Sequence, residues 1–238
     1  MRRAIGITFM LFAMLSLVVP TAQASLIGTV SLLPGDTVIP GLTSDSPGTL
    51  LASLAVPWVG TLGTESGTLI SAVYREAGGT LDFYYQLTDN LTAPNCGNAG
   101  QPACDSLARL TDTTFTGFLT SVGYRIDGAS LPGGIFINGT VAPVTADRNS
   151  GAGDVVGFNF NPPDSAKIHP GQTSFVLVIS TNATNYTQGN ASIIDGGVTT
   201  VASFAPATGV PEPVSLLLFG GGLVGLSALR KFQTRKRS

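Results

Sequence analysis

Few residues in this 238-residue chain are of the types that do chemistry. There is one histidine, His169, and there are two cysteines, Cys96 and Cys104, so a His/Cys zinc site cannot be assembled. A Ser-His-Asp triad would have to use His169, which stands in Lys167-Ile168-His169-Pro170-Gly171. A position just before a Pro-Gly turn reads as surface loop rather than as a general base. The sequence therefore predicts no enzyme, no metal site and no cofactor.

The acids are more numerous but scattered. Nine aspartates fall in turn-like contexts, among them Asp89, Asp147, Asp154, Asp164 and Asp195. Oxygen-rich turns can hold Ca²⁺, yet no Asp-x-Asp-x-Asp run with a closing Glu occurs, and Asp is in any case a good turn former. Cys96 and Cys104 bracket a loop containing Gly100 and Pro102, with a spacing wider than the Cys-x-x-Cys of redox pairs. A disulfide closing this loop is expected in an oxidising compartment. Five Asn-x-Ser/Thr sequons, at Asn90, Asn138, Asn182, Asn185 and Asn190, read as chance occurrences, and 182–192 reads as a polar loop.

These residues must be positioned by strands. Gly67 to Glu76 is rich in β-branched and aromatic residues, Ala77-Gly78-Gly79 turns the chain, and Thr80 to Thr88 alternates strictly. The alternation puts Leu81, Phe83, Tyr85 and Leu87 on one face and Asp82, Tyr84, Gln86 and Thr88 on the other. Further strands are expected at 115–126, 134–141, 155–160, 173–181 and 198–204. The run Phe175 to Ile179 is apolar on both faces, as a covered central strand would be. From Leu26 to Gly63, closely spaced prolines exclude a long helix. Val56-Pro57-Trp58-Val59 reads there as an edge strand over the core, with sugar stacking by an exposed Trp58 as the competing role. With no helical period, six to nine strands and Gly/Pro/Asn turns, the expected fold is an all-β sandwich, jelly-roll or Ig-like.

Charge separates the chain into three parts. Only 11% of residues are charged, and seven of the twelve basic residues are terminal. Between Ser25 and Gly209 five basic residues face thirteen acids, a net −8, which repels phosphate backbones and excludes a nucleic-acid binder. At the front, Met1-Arg2-Arg3, an uncharged run from Ala4 to Val19, Pro20 and Ala22-Gln23-Ala24 form a tripartite secretory signal, with cleavage expected between Ala24 and Ser25. The domain plan is a signal peptide over 1–24, a secreted sandwich over 25–209 and a sorting segment over 210–238.

That last segment begins Val210-Pro211-Glu212-Pro213, continues as an apolar run interrupted by Gly220, Gly221, Gly222 and Gly225, and ends in Arg230, Lys231, Arg235, Lys236 and Arg237. A single transmembrane helix is expected over 214–229, and the basic cluster would hold its far end in the cytoplasm. Sixteen residues at 1.5 Å each give about 24 Å, which suits a transient span better than a durable anchor.

Residues 210–238 resemble the PEP-CTERM sorting signal of bacterial exported proteins, in which a Pro-Glu-Pro motif, a glycine-interrupted helix and an Arg-rich end are recognised by an exosortase. The tail departs from the pattern by mixing Lys, Gln and Thr among its Arg residues. The resemblance implies export across the inner membrane of a Gram-negative bacterium and transient residence there. It implies processing near Pro211, Glu212 and Pro213, and delivery to the cell surface or an extracellular matrix. Partners would be the secretion machinery, the exosortase and exopolysaccharide. The implied role is structural or adhesive, in biofilm; the alternative is a secreted carbohydrate-binding module using Trp58, Tyr74 or Tyr84, or a glycoside hydrolase using two acids.

Overall fold

A computed structural model describes residues 26–208. The signal cleavage pair Ala24 and Ser25, the tripeptide Pro211, Glu212 and Pro213, the apolar run 214–229 and the basic residues Arg230 to Arg237 lie outside the described residues. Among the described residues no helix is long and apolar enough to cross a membrane, and the only helical pieces are two three-residue 3₁₀ turns, Gly128–Ser130 and Asp164–Ala166.

The described residues are all-β, with two sheets packed as a sandwich. Its strands are β1 (Val30–Ser31), β2 (Thr37–Val38), β3 (Gly41–Leu42), β4 (Thr49–Val59), β5 (Ser66–Arg75), β6 (Leu81–Asp89), β7 (Arg109–Asp112), β8 (Thr120–Arg125), β9 (Thr145–Arg148), β10 (Val156–Asn159), β11 (Val176–Thr181), β12 (Asn185–Asp195) and β13 (Gly197–Ala207). One sheet runs β1-β8-β11-β6-β5-β4, with β3 joining β8 in parallel; the other runs β13-β12-β7-β10-β9-β2. All other pairings are antiparallel.

The core lies between the sheets. Register puts Leu69, Val73, Phe83, Tyr85, Leu177 and Ile179 on the inner face of the first sheet, opposite Leu110, Ala146, Val156, Phe158 and Ile193 of the second. The hairpin expected from the strict alternation is present as β5 and β6, and the expected central strand is β11, buried along its whole length between β6 and β8. Trp58 lies on the edge strand β4 and is buried in this core.

One polar face proves buried, and two expectations are corrected. The face of β6 that carries Asp82, Tyr84 and Gln86 is polar in pattern but buried, because residues 128–138 fold back across it and form a second core with Leu131 and Phe136 on Tyr74 and Tyr84. Residues 134–141, expected as a strand, form this cover, which makes one isolated bridge, Val141 to Ser174, and is otherwise held by Gln86 and by backbone hydrogen bonds of Thr140 and Phe175. Gly139 allows it to lie close, since a methyl group there would fall 1.9 Å from the Ser174 carbonyl oxygen. Residues 182–192, read as a polar loop, instead supply most of β12, whose eleven residues pair in unbroken register with β13 around Gly196. Asn and Gln side chains on a solvent-facing strand hid that extended run.

Candidate functional site

On the outer face of the second sheet the polar side chains fall in rows. Register aligns Thr37, Asp147, Gly157, Thr111, Ser192 and Thr200 across six strands, with Thr145, Asn159 and Arg109 in the next row. Each comes from a strand whose alternate residues enter the core, so period two alone delivers them to one surface. At the centre is a network of three side chains. Arg109 Nη2 donates to Asp147 Oδ1 at 2.7 Å while Nη1 bonds both Asp147 Oδ2 and Asn159 Oδ1. Asn159 Nδ2 donates to Asp147 Oδ2 at 2.6 Å and to Thr145 Oγ1 at 3.2 Å.

Gly157 makes this geometry possible. A methyl group there would lie 2.3 Å from Arg109 Nη2, so the guanidinium can lie flat on the sheet only over a glycine. Burial opposes charge on Asp147, but hydrogen bonds from Arg109 and Asn159 and the guanidinium's charge hold its carboxyl below the ordinary range. Both charged partners stay about a quarter exposed. The result is a polar patch on one sheet face bearing a guanidinium, a carboxylate, an amide and several hydroxyls. It can donate and accept hydrogen bonds side by side, as neighbouring hydroxyls of a polymer would require.

Of the residues singled out in sequence, Asp147 joins this network and the others sit elsewhere. Cys96 and Cys104 form a disulfide with Cα atoms 4.9 Å apart. Asn98 braces the loop from inside by donating to Gln101 Oε1 at 3.0 Å, and Asp105 N–H donates to the Thr64 carbonyl at 3.0 Å. His169 stands in a loop, with Nδ1 2.7 Å from Ser106 Oγ and its backbone N–H donating to Gln172 Oε1. Among the described residues no carboxylate hydrogen-bonds to the ring, so the Ser-His pair lacks the orienting acid of a triad.

Near this end of the sandwich Asp89 closes β6, fully buried, with neither carboxylate oxygen hydrogen-bonded. Burial first, then the charges of Glu65, Asp195 and Asp105, push its pKa up to about 8. Asp195 is the other end of a bridge from Lys167, which also pairs with Asp164. Among the described residues no three of His, Cys, Asp and Glu are placed to hold a metal ion. Asp89 and Asp147, expected in turns, are strand residues.

Trp58, Tyr74 and Tyr84 cannot stack on sugar as placed, since all three are buried. Tyr74 donates to the Pro132 carbonyl at 2.7 Å, and burial pushes its hydroxyl up to about 12. Sequence reasoning missed the Arg109, Asp147 and Asn159 network altogether. Its strands are four residues each; β10 falls within the strand expected at 155–160, while β7 and β9 offered only the short alternation in Arg109-Leu110-Thr111-Asp112 and Thr145-Ala146-Asp147-Arg148.

Set against known proteins, the chain matches no family model, no curated protein and no solved structure.

Proposed function

We propose that this is an exported bacterial surface or matrix protein, sorted by an exosortase, whose jelly-roll- or Ig-like body is structural or adhesive within exopolysaccharide. The sorting half of the reading is supported by the order of features in the chain: a secretory signal, an acidic β-body, then Pro-Glu-Pro, an apolar run and a basic end. The adhesive half is carried by one observation, the polar platform built by Arg109, Asp147 and Asn159 over Gly157. Bidentate and amide groups side by side suit a hydroxyl-rich, weakly charged polymer, whereas a net −8 body disfavours polyanions. The disulfide suits the oxidising side of the membrane.

Two measurements test the two halves. Replacing Pro211, Glu212 and Pro213 with alanine should leave export intact and hold the unprocessed chain in the inner membrane; normal surface delivery of that variant would remove the exosortase. The processed protein should be retained on its host's purified exopolysaccharide, and Arg109→Ala should lower that retention severalfold. Equal retention of both proteins would remove the platform from the adhesive role.

A further inference from the structure

We infer that, while the tail is attached, the end of the sandwich from which β13 departs rests on the lipid surface of the inner membrane through Leu33, Leu119 and Tyr186. This rests on the reading of 214–229 as a membrane span. Three segments meet at this end of the sandwich. Asn185, opposite Ala207, opens β12, and Tyr186 lies opposite Pro206. The turn before it contributes Asn182, whose Oδ1 accepts the Leu119 N–H at 2.9 Å. The pairing of Val30 with Val122 and Ser31 with Ser121 continues as Leu32 N–H donates to the Thr120 carbonyl, which sets Leu33 beside Leu119. Leu33 is 54% exposed, Leu119 48% and Tyr186 36%. The Tyr186 ring stands edge-on to Phe204 with centroids 5.7 Å apart, so it is held in place.

Chain length supplies the partner. Six residues, 208–213, separate Ala207 from Val214, and even fully extended they reach only about 20 Å. The eleven residues of β13 are themselves about 35 Å long, so the opposite end, where Leu62 and Val198 are exposed, stands a strand's length farther from the anchor. A short tether therefore selects one end of the body to meet the bilayer. That end presents two leucines and a tyrosine, an apolar pair and an amphipathic ring of the kind that settles about 5–10 Å into the headgroup region. Leu33 N–H is already taken by Asp36 Oδ2 at 3.0 Å, so contact with lipid leaves that backbone donor satisfied.

The test uses the full chain in vesicles of phosphatidylethanolamine and phosphatidylglycerol carrying brominated acyl chains, with tryptophan introduced as Leu119→Trp, Leu33→Trp or Leu62→Trp. Trp58 is 4% exposed and gives the same background in all three. The added emission of Leu119→Trp and Leu33→Trp should fall by about half in the brominated vesicles, as interfacial depth implies, and that of Leu62→Trp should not change. Two reporters guard against one failing to fold. Failure of the wild-type chain to float with vesicles overturns the membrane-span reading and this inference with it. Flotation with no quenching of either reporter, or with equal quenching of Leu62→Trp, overturns the inference alone.

Discussion

Gln86 and Ile137 hold one another by two backbone-to-amide hydrogen bonds: Gln86 Nε2 donates to the Ile137 carbonyl at 2.7 Å and Oε1 accepts the Ile137 N–H at 3.0 Å. The same Nε2 reaches the Ser174 carbonyl at 3.0 Å, so a single buried amide fastens the covering loop to β6. Gln86→Leu leaves those backbone groups without their partner in an apolar setting, and we expect a loss of about 3 kcal/mol in urea unfolding. Hydrogen exchange should also quicken at residues 135–138. Unchanged exchange there would show that the loop is held by Leu131 and Phe136 alone.

The network on the second sheet predicts an unusual cost for a small substitution. Gly157→Ala adds one methyl group to a strand, normally a mild change, but here the group collides with Arg109 Nη2. The guanidinium must lift away from Asp147, which costs about 1–2 kcal/mol for a partly exposed, bidentate pair. Arg109→Ala should cost a similar amount, and the double variant should cost no more than either alone. Additive losses would show that the two positions act independently.

Asp89 sets a pH dependence whose sign is fixed by burial. Its folded pKa of about 8 stands above the ordinary 3.8, so between those values the folded protein holds a proton that the unfolded chain releases. This contribution to stability is complete below pH 4 and declines as pH rises through 8. Asp112, buried beside the Ser203 hydroxyl, and Asp82 are pushed upward by burial and act in the same direction. Thermal melts should therefore give a higher Tm at pH 5.5 than at pH 8.5, and Asp89→Asn should reduce the difference. A variant with the wild-type pH profile would remove Asp89 as its source.

Mass spectrometry of non-reduced protein should recover Cys96 linked to Cys104. Opening so short a loop with a reductant, or by Cys96→Ala with Cys104→Ala, should lower stability by about 2–3 kcal/mol on the chain-entropy estimate. Because Asp105 N–H is bonded to the Thr64 carbonyl, the loss should loosen the approach to β5 first.

Legibility followed apolar pattern rather than strand length, since the eleven-residue β12 reads as a polar loop while the four-residue β10 lies within an expected strand. The β5 and β6 hairpin and β11 announced themselves through alternation and through an unbroken apolar run, and the sandwich followed from them. Residues 134–141 misled because Ile135 and Phe136 pack apolar side chains into the second core without joining a ladder, a use of β-branched and aromatic residues that local pattern cannot separate from pairing. Burial of Asp82 and Gln86 was equally invisible, since it depends on a loop some fifty residues away. The platform was illegible for the same reason: Arg109, Asp147 and Asn159 are far apart in sequence, and only sheet register brings them together.

The order of strands also sets a schedule for the chain as it emerges. β11 fills the middle of the first sheet between β6 and β8, while β12 closes the second sheet on β7, and all these partners come far earlier in the sequence. Until residues 176–207 arrive, β8 has only two two-residue neighbours and β7 is paired on one side. The early two thirds can form the β4, β5 and β6 meander and the β7, β10, β9 and β2 part of the second sheet, but the first sheet stays in two pieces, and closing the remaining long loops is slow. Vectorial synthesis or translocation thus delivers the strands that complete both sheets last, leaving the body open to proteases and holdases until the final strand has passed.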